Sequence, residues 1–119
     1  MQFKQGDIVL LPFPFTDQQG SKVRPGIVVS NSLVNQISKD VIIIQLTTQN
    51  IKDRTLAVEI NNNHVSIAFK PPHNSQYAYC KKILVIEGDL IIKRISKVDD
   101  IAKMQELLET IKSIFALEI

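Results

Sequence analysis

The stretch GDIVLLPFPFTDQQGSKVRPGIVVSN, residues 6–31, contains two short apolar runs, Ile8–Phe13 and Gly26–Ser30, on either side of a polar segment. Val and Ile are frequent in both runs, and their β-branched side chains suit a pleated strand better than a helix. The connecting segment, Pro14–Val23, is longer than a tight hairpin turn and is polar, which is typical of a functional or mobile loop. The stretch therefore predicts two β-strands joined by a long loop.

The same pattern of short β-rich runs continues as far as residue 98. Further runs are Val41–Thr47, Leu56–Ile60, Ser66–Phe69, Tyr77–Ile86 and Leu90–Ile95. Turn residues separate these runs, and most of the intervals lack a helical pattern. We therefore predict six or seven strands over residues of about 7–98, arranged as a small closed or half-closed antiparallel barrel.

The last segment changes to a helical period. Apolar residues recur there every three or four positions: Ile101, Met104, Leu107, Leu108, Ile111, Ile114 and Phe115. Such a stripe predicts an amphipathic helix over residues of about 99–115, packed across the barrel. Asp99 and Asp100 are expected to cap its start, where exposed N–H groups and the positive end of the helix dipole favour a carboxylate.

Length and composition predict one domain over residues 1–119. The single Cys80 cannot form an internal disulfide, and with the distant His64 and His73 it makes no zinc set of the usual spacing. We therefore expect neither a metal nor another cofactor. The opening residues contain Gly6, Asp7 and two prolines where a signal peptide needs an apolar core, and no apolar run approaches the ~20 residues of a membrane span. These features predict a cytoplasmic protein without a membrane partner.

Charge is distributed unevenly along the chain. Residues 1–98 carry twelve basic and seven acidic groups, whereas residues 99–119 carry two basic and five acidic groups. A basic body is compatible with a polyanionic partner such as nucleic acid, and equally with an ordinary solvated surface.

Polar residues collect where the predicted strands begin and end. Arg24 opens the second strand, Ser30 and Asn31 close it, and residues 47–49 (Thr-Thr-Gln) close the third. Conventional catalytic sets are missing from the sequence: no His neighbours a Ser or Cys nucleophile, and no Gly-rich phosphate loop is present. By composition alone, Arg24 remains open to two interpretations, an ordinary surface arginine or part of a groove at the strand ends.

The order of these motifs resembles the PemK/MazF family of toxin ribonucleases. The resemblance rests on Gly-Asp-Ile-Val, a long loop, Arg-Pro and a Val/Ile run within residues 6–31, followed by IIIQLTTQ at Ile42–Gln49. The LAVEI and YAYCKKILVIEG segments and the C-terminal helix resemble later elements of the family. The chain departs from many members in its first loop, which has Gln-Gln-Gly-Ser-Lys where they place a Glu shortly before Arg-Pro.

The resemblance implies a fold and an activity. The expected fold is mainly β with a C-terminal helix, a small SH3-like antiparallel barrel. The expected protein forms a homodimer, cleaves single-stranded RNA without a metal to leave 2′,3′-cyclic phosphate and 5′-hydroxyl ends, and is blocked by a cognate antitoxin protein. Arg24 and Thr47 are the expected catalytic residues at the scissile phosphate, with Thr48, one residue out of register, as the second choice.

Candidate RNA-binding residues follow from the same groove. They are Lys22, Ser30, Asn31, Thr48, Gln49, Lys81 and Lys82. With Arg24, Lys93 and Arg94, the three lysines of that set would track an RNA backbone if all six cations shared one face. Two other functions remain open: a gyrase poison resembling CcdB, which relies on a C-terminal Trp that this chain lacks, and a noncatalytic SH3-like module, which usually needs a more aromatic groove than a chain with 6% aromatic residues provides.

Overall fold

A computed structural model describes residues 2–15, 17 and 19–119. The described strands and helices are β1 (Asp7–Pro14), β2 (Ser21–Val28), α1 (Ser32–Ser38), β3 (Asp40–Thr47), β4 (Ala57–Asn61), β5 (Ser75–Glu87), β6 (Lys93–Lys97) and α2 (Ile101–Ile114). Two single 3-10 turns, Asn62–His64 and Gly88–Leu90, follow β4 and β5. No helix within the described ranges has both the length and the apolar character needed to cross a membrane.

The strands of the described chain form one antiparallel sheet in the order β4-β5-β3-β2-β1-β6. A short seam between residues 65–67, which follow β4, and residues 96–98, at the end of β6, joins the two edges of this sheet. Val65 forms a bridge with Val98, and the Ser66 amide donates to the Lys97 carbonyl at 2.9 Å. The hydroxyl of Ser96 accepts from the Ile67 amide at 3.0 Å and donates to the Ile67 carbonyl at 2.8 Å. The expected mainly β, barrel-like fold is confirmed, with an opening between the edges outside the seam.

The sheet buries apolar side chains on both faces. The inner face carries Ile8, Ile27, Ile44 and Cys80 and is covered by α2, whose Leu107 is fully buried. The outer face carries a second set, which includes Val9, Leu11, Val28 and Ile43, and the N-terminal Phe3 and the segment around Ile91 cover it. Val and Ile in alternating positions thus supply both layers, because successive strand residues point to opposite faces.

Two predicted features differ from the structure. The Ser66–Phe69 run forms no strand: after the bridge at Val65 the chain bends, and Phe69 turns into the inner core while its amide donates to the Asn62 side chain at 2.8 Å. The second strand begins at Ser21, before both Arg24 and the Gly26–Ser30 run, because residues 21–25 pair with β1; the predicted Pro14–Val23 loop is therefore shorter.

The predicted C-terminal helix is confirmed as α2, but the structure also contains a second, shorter helix, α1. Asp100 caps α2, with its carboxylate accepting from the Lys103 amide at 2.9 Å, whereas Asp99 lies outside the cap. The short α1 was not expected. It begins at Asn31, whose side chain accepts from the Val34 amide at 3.0 Å.

Candidate functional site

Arg24 and Thr47 lie where β2 and β3 stop pairing. The ladder between these strands runs from Val28 opposite Ile43 to Gly26 opposite Gln45 and ends there. Continuing the same register by two residues brings Arg24 level with Thr47. Both side chains point to the outer face, since residues two apart on a strand share a face. The structure therefore brings the two predicted catalytic residues to the same face at the same end of the sheet.

The hydroxyl of Thr47 has a defined local partner. Its Oγ1 accepts from the amide of Gln49 at 3.1 Å, which closes a turn directly after β3. A hydroxyl has one donor hydrogen and two acceptor positions, so this contact leaves the hydrogen available to another group. Thr47 is half-buried. The side chain is thus oriented by the backbone and still able to donate to a bound oxygen.

Arg24 faces a cleft of about 380 Å³ on the outer face. The cleft is lined by Phe13, Pro14, Phe15, Arg24, Gln45, Lys82, Ile83 and Leu84. Lys82 reaches it because of an irregularity between β3 and β5: Ile44 pairs with Ile83, but the next residue, Gln45, pairs with Tyr79. Three residues of β5 are therefore extra at this point, and their excursion places Lys82 beside Arg24.

The cleft end of the outer face is positively charged. Lys22 is two residues from Arg24 on β2 and shares its face. Two ion pairs occur within the described ranges, Arg94 with Asp7 and Lys103 with Glu106, so neither of them neutralises Arg24, Lys22 or Lys82. Glu59 on β4 is an acid of the same region, because it lies opposite Tyr77, which in turn lies opposite Thr47. The balance at this end of the face favours an anionic ligand.

Two of the predicted RNA-binding residues have structural roles instead. Ser30 is buried, and its hydroxyl donates to the Asn35 side chain and accepts from the Ile42 amide. Asn31 uses its side chain to cap α1. Thr48 and Gln49 are exposed just beyond Thr47, and Lys81 is exposed on β5 without lining the cleft. These three remain predictions.

The six cations considered for an RNA path do not lie together. Lys93 and Arg94 lie on β6, at the opposite edge of the sheet from β5, and line a different cleft. The guanidinium of Arg94 pairs with the buried Asp7 carboxylate at 2.9 Å and donates to the Gln2 carbonyl at 3.0 Å. Arg94 therefore ties the N-terminal segment to β6.

Three residues missed by the sequence analysis belong to the same face. Tyr77 lies opposite Thr47, and Tyr79 lies opposite Gln45. The guanidinium of Arg54 stacks on the Tyr77 ring, with 4.4 Å between its central carbon and the ring centroid. The alternation Tyr-Ala-Tyr in residues 77–79 was a signal that both rings share a face, but which face, and next to what, required the register.

Cys80 and His64, a candidate nucleophile and a candidate base, have structural roles. Cys80 is fully buried, and burial raises the pKa of its thiol to about 11, so the thiolate is scarce at neutral pH. His64 accepts from the Asn61 amide through Nδ1 at 3.0 Å and closes a turn. Within the described residues, no three or more His, Cys, Asp or Glu side chains come together as a candidate metal site.

Comparison with known protein families decides the relationship. Residues 4–115 match the family described as PemK-like, MazF-like toxin of type II toxin-antitoxin system. The chain belongs to this family. The match to the PemK/MazF-like toxins covers the six described strands and both α-helices, and it includes Thr47 and the cleft that Arg24 and Lys82 line. A search of curated proteins gave no match.

Solved structures of similar fold agree with this membership. A mycobacterial endoribonuclease in complex with its cognate antitoxin is 18% identical with a TM-score of 0.69, and the match covers 98% of each chain. The Mycobacterium tuberculosis toxin MazF-mt6 is 16% identical with a TM-score of 0.70, covering 95% of this chain and 99% of that one. MazF in a MazE-MazF complex from Deinococcus radiodurans is 13% identical with a TM-score of 0.68, covering 99% and 100%. At these identities, the likeness establishes the PemK/MazF fold.

Proposed function

We propose that this MazF-like toxin is a cytoplasmic endoribonuclease that cleaves single-stranded RNA. The observation that carries the proposal is the position of Arg24, which shares a positively charged cleft with Lys82 on the face to which Thr47 also points. Family membership and the endoribonucleases among the similar structures support the same activity. The cations and the exposed part of the face suit a flexible, negatively charged chain that lies across strand ends.

The proposed reaction uses the RNA's own 2′-hydroxyl as the nucleophile. Its oxygen forms a bond to the adjacent phosphorus, the bond between phosphorus and the 5′ oxygen breaks, and the products are a 2′,3′-cyclic phosphate and a 5′-hydroxyl. The 2′-hydroxyl loses its proton to solvent, and the departing 5′ oxygen gains one. No metal takes part in this scheme, and the cations of the cleft supply the positive charge instead.

Arg24 and Thr47 would stabilise the charge that grows during this step. Negative charge develops on the non-bridging phosphate oxygens, and a planar guanidinium binds two of them in fixed geometry. The Thr47 hydrogen, left available by the contact with Gln49, donates to the same phosphate. Arg24 keeps its proton at neutral pH because an arginine pKa exceeds ~12, so its role is that of a charged donor rather than a base.

The test is incubation of the purified protein with a long single-stranded RNA in EDTA, followed by chemical mapping of the new ends. Arg24→Ala and Thr47→Val are each expected to lower the cleavage rate by about 100- to 1,000-fold, the usual effect of losing one preorganised donor. Lys93→Ala is the matched control, because it removes an exposed cation on β6 that lies outside the cleft. It should cleave at the wild-type rate.

Three results would contradict the proposal. They are 5′-phosphate ends, loss of activity in EDTA, and an Arg24→Ala protein that folds and cleaves normally. Tight RNA binding by the wild-type protein without any cleavage would instead favour a noncatalytic binding module.

We also propose that a cognate antitoxin protein blocks the cleft. An acidic, disordered segment would be attracted by the same charges that attract RNA, and it would become ordered as it binds. RNA and antitoxin should therefore compete, and both affinities should fall with added salt. An antitoxin that binds without displacing RNA would contradict a shared site.

A homodimer is the proposed working form. Family resemblance suggests it, and several large apolar side chains are exposed in the described structure, among them Ile37, Val85 and Phe115. Val85 and Phe115 line one cleft together with Ile83 and Leu108, and a contiguous apolar patch is typical of a surface that a partner covers. Sedimentation at micromolar concentration should show a species of twice the 13.4 kDa chain mass. A monomer alone at that concentration would contradict the proposal.

A further inference from the structure

Tyr77 and Tyr79 occupy the outer face immediately beside the proposed catalytic pair. Tyr77 is the direct β5 partner of Thr47, and Tyr79 is the direct partner of Gln45. Directly opposite residues of antiparallel strands point to the same face, with Cβ atoms about 5 Å apart. Both tyrosines are half-buried, so part of each ring is exposed. The two aromatic rings therefore lie on β5, on the side of β3 that faces away from β2 and Arg24.

Arg54 completes this group from the loop between β3 and β4. Its Nη2 donates to the Tyr77 hydroxyl at 3.3 Å and to the Asn50 side chain at 3.0 Å, while the guanidinium stacks on the ring. The turn that carries Arg54 is held by Asp53, whose carboxylate accepts from the Thr55 hydroxyl at 2.6 Å and the Thr55 amide at 3.0 Å. Both contacts lower the pKa of the Asp53 carboxyl, and the hydrogen bond from the Thr55 hydroxyl has the larger effect. The contacts therefore favour the ionised carboxylate, which holds the turn.

We propose that Tyr77, Tyr79 and Arg54 form a nucleobase-binding subsite for single-stranded RNA, directly next to the phosphate site at Arg24 and Thr47. The inference rests on the proposed ribonuclease function and adds to it a contact with a base. Aromatic rings and guanidinium planes both stack on unpaired bases, and stacking tolerates any base because each one has a π-face. One strand spacing, about 5 Å, separates Thr47 from Tyr77, which suits the base of the nucleotide beside the bound phosphate.

The composition of the chain provides a label-free probe of this subsite. The protein contains no Trp, and its two tyrosines are Tyr77 and Tyr79. Its intrinsic fluorescence therefore comes from the proposed subsite. A base that stacks on either ring should quench this fluorescence, whereas a phosphate bound at Arg24 should leave it nearly unchanged.

The experiment titrates the wild-type protein with a 2′-O-methyl RNA oligomer, which cannot undergo attack by its own 2′-hydroxyl. The control probe is an abasic oligomer of equal length and charge. We expect the RNA to bind more tightly than the abasic oligomer and to quench the tyrosine emission, and the abasic oligomer to bind through its charges without quenching. Binding itself is followed by the anisotropy of a dye on each oligomer.

Matched variants separate the ring from the hydroxyl. Tyr79→Leu and Tyr77→Leu should each weaken RNA binding by about 5- to 150-fold, the range measured for one base–aromatic stack. Tyr79→Phe and Tyr77→Phe keep a ring and should bind within about twofold of wild type. All four should bind the abasic oligomer equally well, which a merely structural role of the rings would not predict.

The possible outcomes distinguish failure of the base subsite from failure of the ribonuclease proposal. RNA binding without tyrosine quenching, or Leu variants that bind RNA as tightly as the Phe variants, would overturn the base subsite and leave the proposed cleavage intact. A wild-type protein that neither binds nor cleaves RNA would overturn the ribonuclease proposal itself. If a Leu variant fails to fold, the comparison of RNA with abasic oligomer on the wild-type protein still decides the inference.

Discussion

Lys82→Met should reduce the salt dependence of RNA binding, whereas Lys93→Met should not. Four cations surround the proposed RNA path on the outer face: Lys22, Arg24, Arg54 and Lys82. Each phosphate neutralised on a single strand contributes about −0.7 to the slope of log K against log salt, so four contacts predict a slope of about −2.8. Removal of Lys82 leaves three contacts and predicts a slope of about −2.1.

These slopes give measurable differences in affinity. Raising the salt from about 50 mM to about 200 mM should weaken wild-type binding by about 50-fold and Lys82→Met binding by about 18-fold. Lys93 is exposed on β6 and does not line the cleft of Arg24, so Lys93→Met should keep the wild-type slope. The assay is anisotropy of a dye-labelled 2′-O-methyl RNA at five or more salt concentrations.

Two results would refute the reasoning. A wild-type slope near zero would mean that the cations of the outer face are merely solvated and make no contact with RNA phosphates. Equal losses of slope in Lys82→Met and Lys93→Met would mean that RNA responds to the overall charge of the protein and not to this cleft.

Three shorter predictions follow from the packing and the charges. Gly26→Ala should lower the free energy of unfolding by about 1 to 3 kcal/mol in urea titrations, since the added Cβ would overlap Cγ2 of Ile43; an unchanged stability would contradict the close approach. The Cys80 thiol has a pKa raised from 9.0 to about 11, so the unfolded chain loses this proton first and stability should fall as pH rises from about 9 to about 11. Cys80→Ser should show a shallower fall over that range, and equal slopes would count against the buried thiol. Glu59 lies two strand spacings from Thr47, roughly 10 Å, so Glu59→Gln should tighten RNA binding about twofold at low salt, and no change at all would place the RNA path elsewhere.

The elements with a clear period were predictable from the sequence. Alternating and β-branched runs indicated the six strands, and the stripe from Ile101 to Phe115 indicated α2. The sequence analysis missed α1, which is only seven residues long. Its apolar residues Leu33 and Ile37 are exposed, so they do not form the repeated buried stripe by which a helix is recognised in a sequence. The Ser66–Phe69 run has the composition of a strand, but Phe69 is its one buried side chain. The chain bends there so that the Phe69 ring reaches the inner core.

The candidate site was predictable only in part, because it depends on which strands are neighbours. A motif order close to that of a known family pointed to Arg24 and Thr47, and the β2–β3 register explains why they lie level. Local patterns contain no information on the three-residue shift in β5 that brings Lys82 into the cleft, nor on the pairing of Tyr77 with Thr47. Whether Arg94 joins them could not be read from the sequence for the same reason: β6 pairs with β1, at the edge of the sheet.

The seam between the sheet edges has a consequence for solubility. One hydroxyl, that of Ser96, satisfies both the amide and the carbonyl of Ile67, so a side chain substitutes for a main-chain pair at the place where the two edges meet. An unpaired strand edge is a template for pairing with another molecule. Loss of this hydroxyl would leave the amide and the carbonyl of Ile67 without these partners, and the seam would rest on the Val65–Val98 bridge and the bond from the Ser66 amide to the Lys97 carbonyl. The seam therefore protects these edges against pairing with another molecule as well as stabilising the fold.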